Sequence, residues 1–185
     1  MDCKQRNAFT LIELIMVIAI IGVLSVSGAW LMVYFVRNSA YIPNQLNTDM
    51  AASDALKIMI EGDSQAKGLR FSRLISAIPS NNQITFTNQD GQSISYRLDT
   101  GTNSLYRSIS GGAEAQIPYY ATGVSITGKS GTLFTYYDVN EAVTAVAANV
   151  RRIAIDLIVK TGSGSYNDWQ GQSGQGSSIA VDKYQ

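Results

Sequence analysis

Few residues in this chain could make or break bonds. There is no histidine among its 185 residues, and the single cysteine is Cys3. That excludes Ser–His nucleophiles, His-ligated metals and, past the first few residues, thiol chemistry. Paired carboxylates or a Ser–Lys pair remain, but no spacing points to either. The expectation is a protein that is not an enzyme, with no cofactor and no resident metal. One residue still needs a chemical explanation. Glu13 stands near the start of an apolar run from Ala8 to Leu24. A carboxylate inside a membrane-length helix costs about 2.5–3.5 kcal/mol on insertion scales. In lipid it would be protonated or paired, because burial favours the neutral form.

The element that positions Glu13 is this run. From Leu14 to Val36 there is no charged residue, and a helix needs ~20 residues to cross the hydrocarbon core. Lys4 and Arg6 precede the run and Arg37 closes it. Basic residues ahead of a first span favour a cytoplasmic N-terminus, which places the chain after Arg37 outside the cytoplasm. Three readings of this N-terminus compete. It could be a plain signal anchor. It could be an ordinary signal peptide, with Ser27-Gly28-Ala29 as the small residues before a cut ahead of Trp30. The third reading puts a cut before the apolar run, between Ala8 and Phe9.

Phe9 first, then Thr10-Leu11-Ile12, then Glu13 fifth, resembles the mature start of type IV pilins and type II secretion pseudopilins, the class III prepilin family. The family usually has Gly before the cut; this chain has Ala8. The resemblance implies a leader over 1–8 and a prepilin peptidase that cuts at Ala8–Phe9 and methylates the new Phe9 amine. It also implies a filament-core helix over 9–36 that is transmembrane before assembly. Glu13 would then pair with the N-terminal amine of a neighbouring subunit and set the register between them. The plainer reading leaves Glu13 at headgroup depth at the helix start. The implied partners are the peptidase, other pilins or pseudopilins, an inner-membrane assembly platform and lipid before assembly. The implied location is the cytoplasmic membrane, single-pass, and then a pilus or pseudopilus.

The rest of the chain reads as one domain over 37–161 and a flexible Gly/Ser-rich tail over 162–185. With Cys3 in the leader, the exported part can form no disulfide. Basic and acidic residues balance at 14 each, so no strong field attracts nucleic acid, and none is expected as a partner. Ala52, Leu56 and Met59 recur at helical spacing, and Gly62 suits a stop. Pro43 should bend this helix if it continues the apolar one; the residues alone also allow two separate helices. A short helix is expected over Ser64 to Ile78, ended by Pro79. After it the pattern changes to strands: 83–87, 93–98, 105–107, 124–126, 133–137 and 153–159. Residues 141–150 suit a short helix or a loop. Strands after helices, without βαβ alternation, predict an α+β fold with an antiparallel sheet, which is also what the resemblance implies. Leu133-Phe134-Thr135-Tyr136-Tyr137-Asp138 and Val150-Arg151-Arg152-Ile153-Ala154-Ile155 are similar to minor subunits of the J/PulJ-PilW group.

Weaker constellations have commoner explanations. Asp99, Gly101 and Asn103, and again Asp138, Asn140 and Glu141, resemble pieces of calcium loops. Neither supplies the six oxygens a hard cation wants, and turn formation accounts for them. Lys67, Arg70 and Arg73 around Phe71 could meet phosphates, but suit a solvated face equally. Tyr119-Tyr120 and Tyr136-Tyr137 suit sheet packing. The expected function is a minor structural subunit of a type II secretion pseudopilus or type IV pilus. One alternative is a minor pilin of an adhesion or DNA-uptake system. An alternative of another class is a signal-anchored extracytoplasmic binding protein.

Overall fold

A computed structural model describes residues 10–119, 123–161 and 170–181. The fold is α+β: one long apolar N-terminal helix followed by antiparallel sheets. The chain divides into two compact units, Met1–Ala40 and Tyr41–Gln185. Helix α1 spans Leu11–Ile60 as one 50-residue element. Pro43 lies inside it and does not end it, so the two-helix alternative is set aside.

The helix stops where the sequence suggests. The Gly62 N–H reaches back to the Ile58 carbonyl at 3.0 Å, and Gly62 takes φ +90. That left-handed turn closes onto Gly68, whose N–H donates to the Glu61 carbonyl at 3.0 Å. A Cβ on Gly68 would sit 2.6 Å from the Ile60 carbonyl group. The chain can pass so close to the helix end only without a side chain there.

The first sheet is a meander in the order β1-β2-β3-β4-β5: β1 Ser72–Ser80, β2 Gln83–Asn88, β3 Ser93–Asp99, β4 Ser104–Ile109 and β5 Ala115–Ile117. The second sheet has β8 (Arg152–Thr161) at its centre. On one side β8 pairs with β6 (Val124–Gly128) and β7 (Phe134–Tyr137), and on the other with β9 (Gly171–Ala180). Asn82 joins the two sheets, accepting from the Leu133 N–H at 2.9 Å and donating to the Gly131 carbonyl at 3.0 Å. The core gathers Ala51, Ala52, Ala55 and Met59 of α1 with Phe86, Tyr96, Phe134 and the alternate residues Ile153, Ile155, Leu157 and Val159 of β8. Along β8 the period-two pattern therefore does what the sequence predicts.

Two expectations are corrected. Residues 64–78 are not a helix: a short 3-10 turn at Leu69–Phe71 leads into β1. Pairing with β2 outweighs local helical preference, and Pro79 is tolerated because β1 is the outermost strand of its sheet. The tail expected over 162–185 contains β9, which pairs with β8 along all ten of its residues. Two of its three glycines, Gly171 and Gly176, answer packing needs. A Cβ on Gly171 would lie 2.5 Å from both the Asn44 carbonyl oxygen and Thr48 Oγ1. A Cβ on Gly176 would lie 2.6 Å from Asp156 Oδ1. Residues 162–169 and 182–185 lie outside the described residues. Residues 141–150 form a loop with a 3-10 turn at Ala147–Asn149.

Candidate functional site

The start of α1 is built as a reciprocal cap. Thr10 is the last residue before the helix, and its backbone N–H donates to Glu13 Oε2 at 2.9 Å. Its hydroxyl donates to the same oxygen at 3.0 Å, and the Glu13 N–H returns a longer bond to Thr10 Oγ1 at 3.4 Å. Thr-x-x-Glu at a helix start satisfies N–H groups that have no partner one turn back. The Glu13 negative charge also faces the positive end of the helix dipole. Both acceptor contacts use Oε2. Among the described residues Oε1 has no partner, so the carboxylate keeps one oxygen for another donor.

Two polar side chains within the apolar stretch are satisfied by the helix itself. Ser25 and Ser27 return their hydroxyls to the Ile21 and Val23 carbonyls at 2.7 and 3.0 Å, as polar side chains in lipid must. No part of its most apolar stretch is buried within the chain, and that stretch has a mean hydropathy of 2.5. Among the described residues α1 is the one helix long and apolar enough to cross a membrane. Ala8 and Phe9, the expected cleavage and methylation positions, lie outside the described residues.

Residues 3–29 match the family model for the prokaryotic N-terminal methylation motif. The chain carries a class III prepilin signal. It is thereby type IV pilin-like at its N-terminus, and the motif implies processing by prepilin peptidase and assembly with other pilins. Together with the uncovered apolar helix, the prepilin signal points to membrane anchoring. No curated protein and no solved structure matches the chain.

The other sequence candidates resolve into local structure. Asp99 Oδ1 accepts the Gly101 and Thr102 N–H groups at 2.9 and 3.3 Å. Asp138 Oδ1 accepts those of Asn140 and Ala142 at 2.8 and 3.0 Å, and Glu141 pairs with Arg152. These carboxylates serve turns and an ion pair. In the basic patch, Lys67 pairs with Asp90 at 2.9 Å and Arg70 with Glu61 at 3.3 Å. Tyr136 is buried, and its hydroxyl donates to the Gln83 carbonyl at 3.0 Å. Tyr137 lies against the Arg152 guanidinium at 3.8 Å.

The most developed polar cluster escaped the sequence reading. Arg107 on β4 has a side chain 1% exposed. It donates from both terminal nitrogens to the Asp63 carboxylate at 3.0 Å, and further to Gln65 Oε1 at 3.0 Å and to the Tyr119 hydroxyl. The Tyr119 hydroxyl donates in turn to Asp63 Oδ2 at 3.1 Å. Partial burial alone would raise the Asp63 carboxyl, but the Arg107 bonds and the Gln65 and Ala66 amides outweigh it and hold it low. Burial works against the Arg107 charge, yet Asp63 keeps its pKa above the ordinary arginine value. The cluster ties the turn after α1 to β4 and to the segment after β5. One signal was available: Leu105 and Arg107 sit two apart in a strand, so the arginine shares the buried face.

Proposed function

We propose that this chain is a minor structural subunit of a type II secretion pseudopilus or type IV pilus, and not an enzyme. The observation that carries this is the methylation motif laid on an apolar helical stretch that nothing among the described residues buries. Such a helix needs either lipid or the helices of other subunits around it. Lipid and a helical core are similarly apolar, so moving between them gains little from hydrophobicity, and packing and polar contacts must set the register. Glu13 suits that task. Its Oε2 holds its own helix start, and Oε1 can accept the methylated Phe9 amine of a neighbour. The likeness of 133–138 and 150–155 to J-type subunits supports a minor position. The absence of histidine and the mutual satisfaction of Arg107, Asp63 and Tyr119 support a non-catalytic domain.

Intact mass and N-terminal sequencing of the membrane-extracted protein test the reading. An N-methylated Phe9 start is expected. A start at Trp30, or an intact Met1, would overturn it.

A further inference from the structure

The sheets treat their edges differently. Natural sheets blunt exposed edges with bulges, charges, proline or very short strands. β1 has three register irregularities against β2 and carries Arg73 and Pro79. β5 is only three residues long. β6 and β7 meet the first sheet, where Ile126 N–H donates to the Asn103 carbonyl and Phe134 N–H to the Asn81 carbonyl, each at 2.7 Å. β9 carries none of these devices. It runs in unbroken register from Arg152↔Ala180 to Thr161↔Gly171, with no charged residue and no proline.

The ladder fixes which groups face outward. Gln45 of α1 holds both main-chain groups of Gln172: its amide donates to the Gln172 carbonyl at 3.1 Å and accepts the Gln172 N–H at 3.1 Å. Gln172 therefore faces away from β8, and the alternation of an antiparallel pair makes Gly174, Gly176, Ser178 and Ala180 do the same. Among the described residues nothing pairs with these four. Beside the edge, a groove of about 530 Å³ separates β9 from the second half of α1. Leu56, Ile60 and Ile179 give it apolar surface. Glu61 and Arg70 neutralise each other, while Lys57 is exposed and has no ion-pair partner among the described residues. The groove is thus left positively charged.

We propose that the β9 edge from Gly174 to Ala180 is a strand-addition site for an extended segment of a partner protein. The segment has apolar residues at alternate positions and a carboxylate that reaches Lys57. Main-chain hydrogen bonds to the open edge supply affinity. Every second side chain enters the groove toward Leu56 and Ile60 and supplies selectivity. The Gln45–Gln172 pair already shows, within the chain, the amide geometry this edge accepts.

The test uses the full-length protein in detergent micelles and fluorescence anisotropy. The probe is a labelled peptide of about nine residues, a usual strand length, alternating valine and threonine around a central glutamate. Saturable binding is expected, about tenfold weaker when the central residue is lysine and lost when alternate amides are N-methylated. Ser178→Pro removes an outward N–H without touching the β8 ladder, so it should abolish binding while the thermal unfolding midpoint holds. Lys57→Glu leaves the backbone intact and should reverse the preference between the glutamate and lysine peptides. Absence of saturable binding overturns the proposal, as does equal binding of the N-methylated peptide. So does a wild-type dimer that Ser178→Pro abolishes and the peptide fails to compete, since that would assign the edge to a second copy.

Discussion

Removing the Asp63 carboxylate should cost the domain more than any exposed ion pair could. Asp63→Ala leaves the Arg107 guanidinium in place with its side chain 1% exposed. Two of its hydrogen bonds vanish, and those to Gln65 and Tyr119 remain. Stranding one partner of a fully buried pair costs about 3–5 kcal/mol. Asp63 is itself 21% exposed, so water can reach the vacated position, and the expected loss falls to about 2–3 kcal/mol. For a domain of this size that corresponds to a drop of about 5–10 °C in Tm. Arg107→Leu is gentler, about 1 kcal/mol, because Asp63 keeps the Gln65 and Ala66 amides and its water. The double variant should then be more stable than Asp63→Ala alone, with a coupling of at least about 1 kcal/mol. Thermal and urea unfolding of the full chain in micelles, followed by near-UV circular dichroism, gives all three values. A loss under about 0.5 kcal/mol for Asp63→Ala would refute the reasoning, since surface substitutions span that range. A double variant no better than that single one would refute it equally.

Acid should weaken the same cluster. The folded Asp63 carboxyl lies below its ordinary value, so its contribution is present above the unfolded pKa and is lost as pH falls through the folded one. Urea midpoints should therefore decline below the usual carboxylate range, less steeply for Asp63→Ala than for wild type. Gly171→Ala places a Cβ against a backbone carbonyl that cannot step aside. A loss of about 1–3 kcal/mol is expected, and hydrogen exchange should show β9 opening before β2 or β3. Glu13→Ala should still fractionate with the membrane but be depleted from sheared filaments. Normal incorporation would remove the register role assigned to Oε1.

What the sequence disclosed follows from how locally each feature is written. The apolar run and Glu13 are contiguous, and the five residues Phe9 to Glu13 carry most of the functional reading. β2, β3 and β8 show alternation that needs no partner to be seen. β9 was hidden because its order comes from elsewhere. Its residues are small so that α1 and Asp156 can approach, and Gly, Ser and Gln in a row look the same whether a segment is loose or closely packed. β1 misled for a related reason: Leu74 and Ile78 sit four apart, as on a helical face, and only β2 decides between the alternatives. In the Arg107 cluster, Arg107 and Tyr119 lie 44 and 56 positions from Asp63 respectively. No local window contains both ends of such a pair, although the parity of Leu105 and Arg107 carried half of the information.

The fastening of α1 at Asn44, Gln45 and Thr48 has a consequence for the order of folding. Thr48 meets Thr161 across 113 positions, Asn44 meets Thr161 across 117, and Gln45 meets Gln172 across 127. The meander β1 to β5, by contrast, closes through successive neighbours. Loops that long are entropically slow to close, and local pairings form first. A ribosome delivers Gln45 long before Gln172, so for most of synthesis this stretch of helix has no sheet to lie against. β9, made late, completes the seat for a segment made early. A chain interrupted before β9 would keep its meander and the Thr161 contacts and lose the Gln45–Gln172 pair.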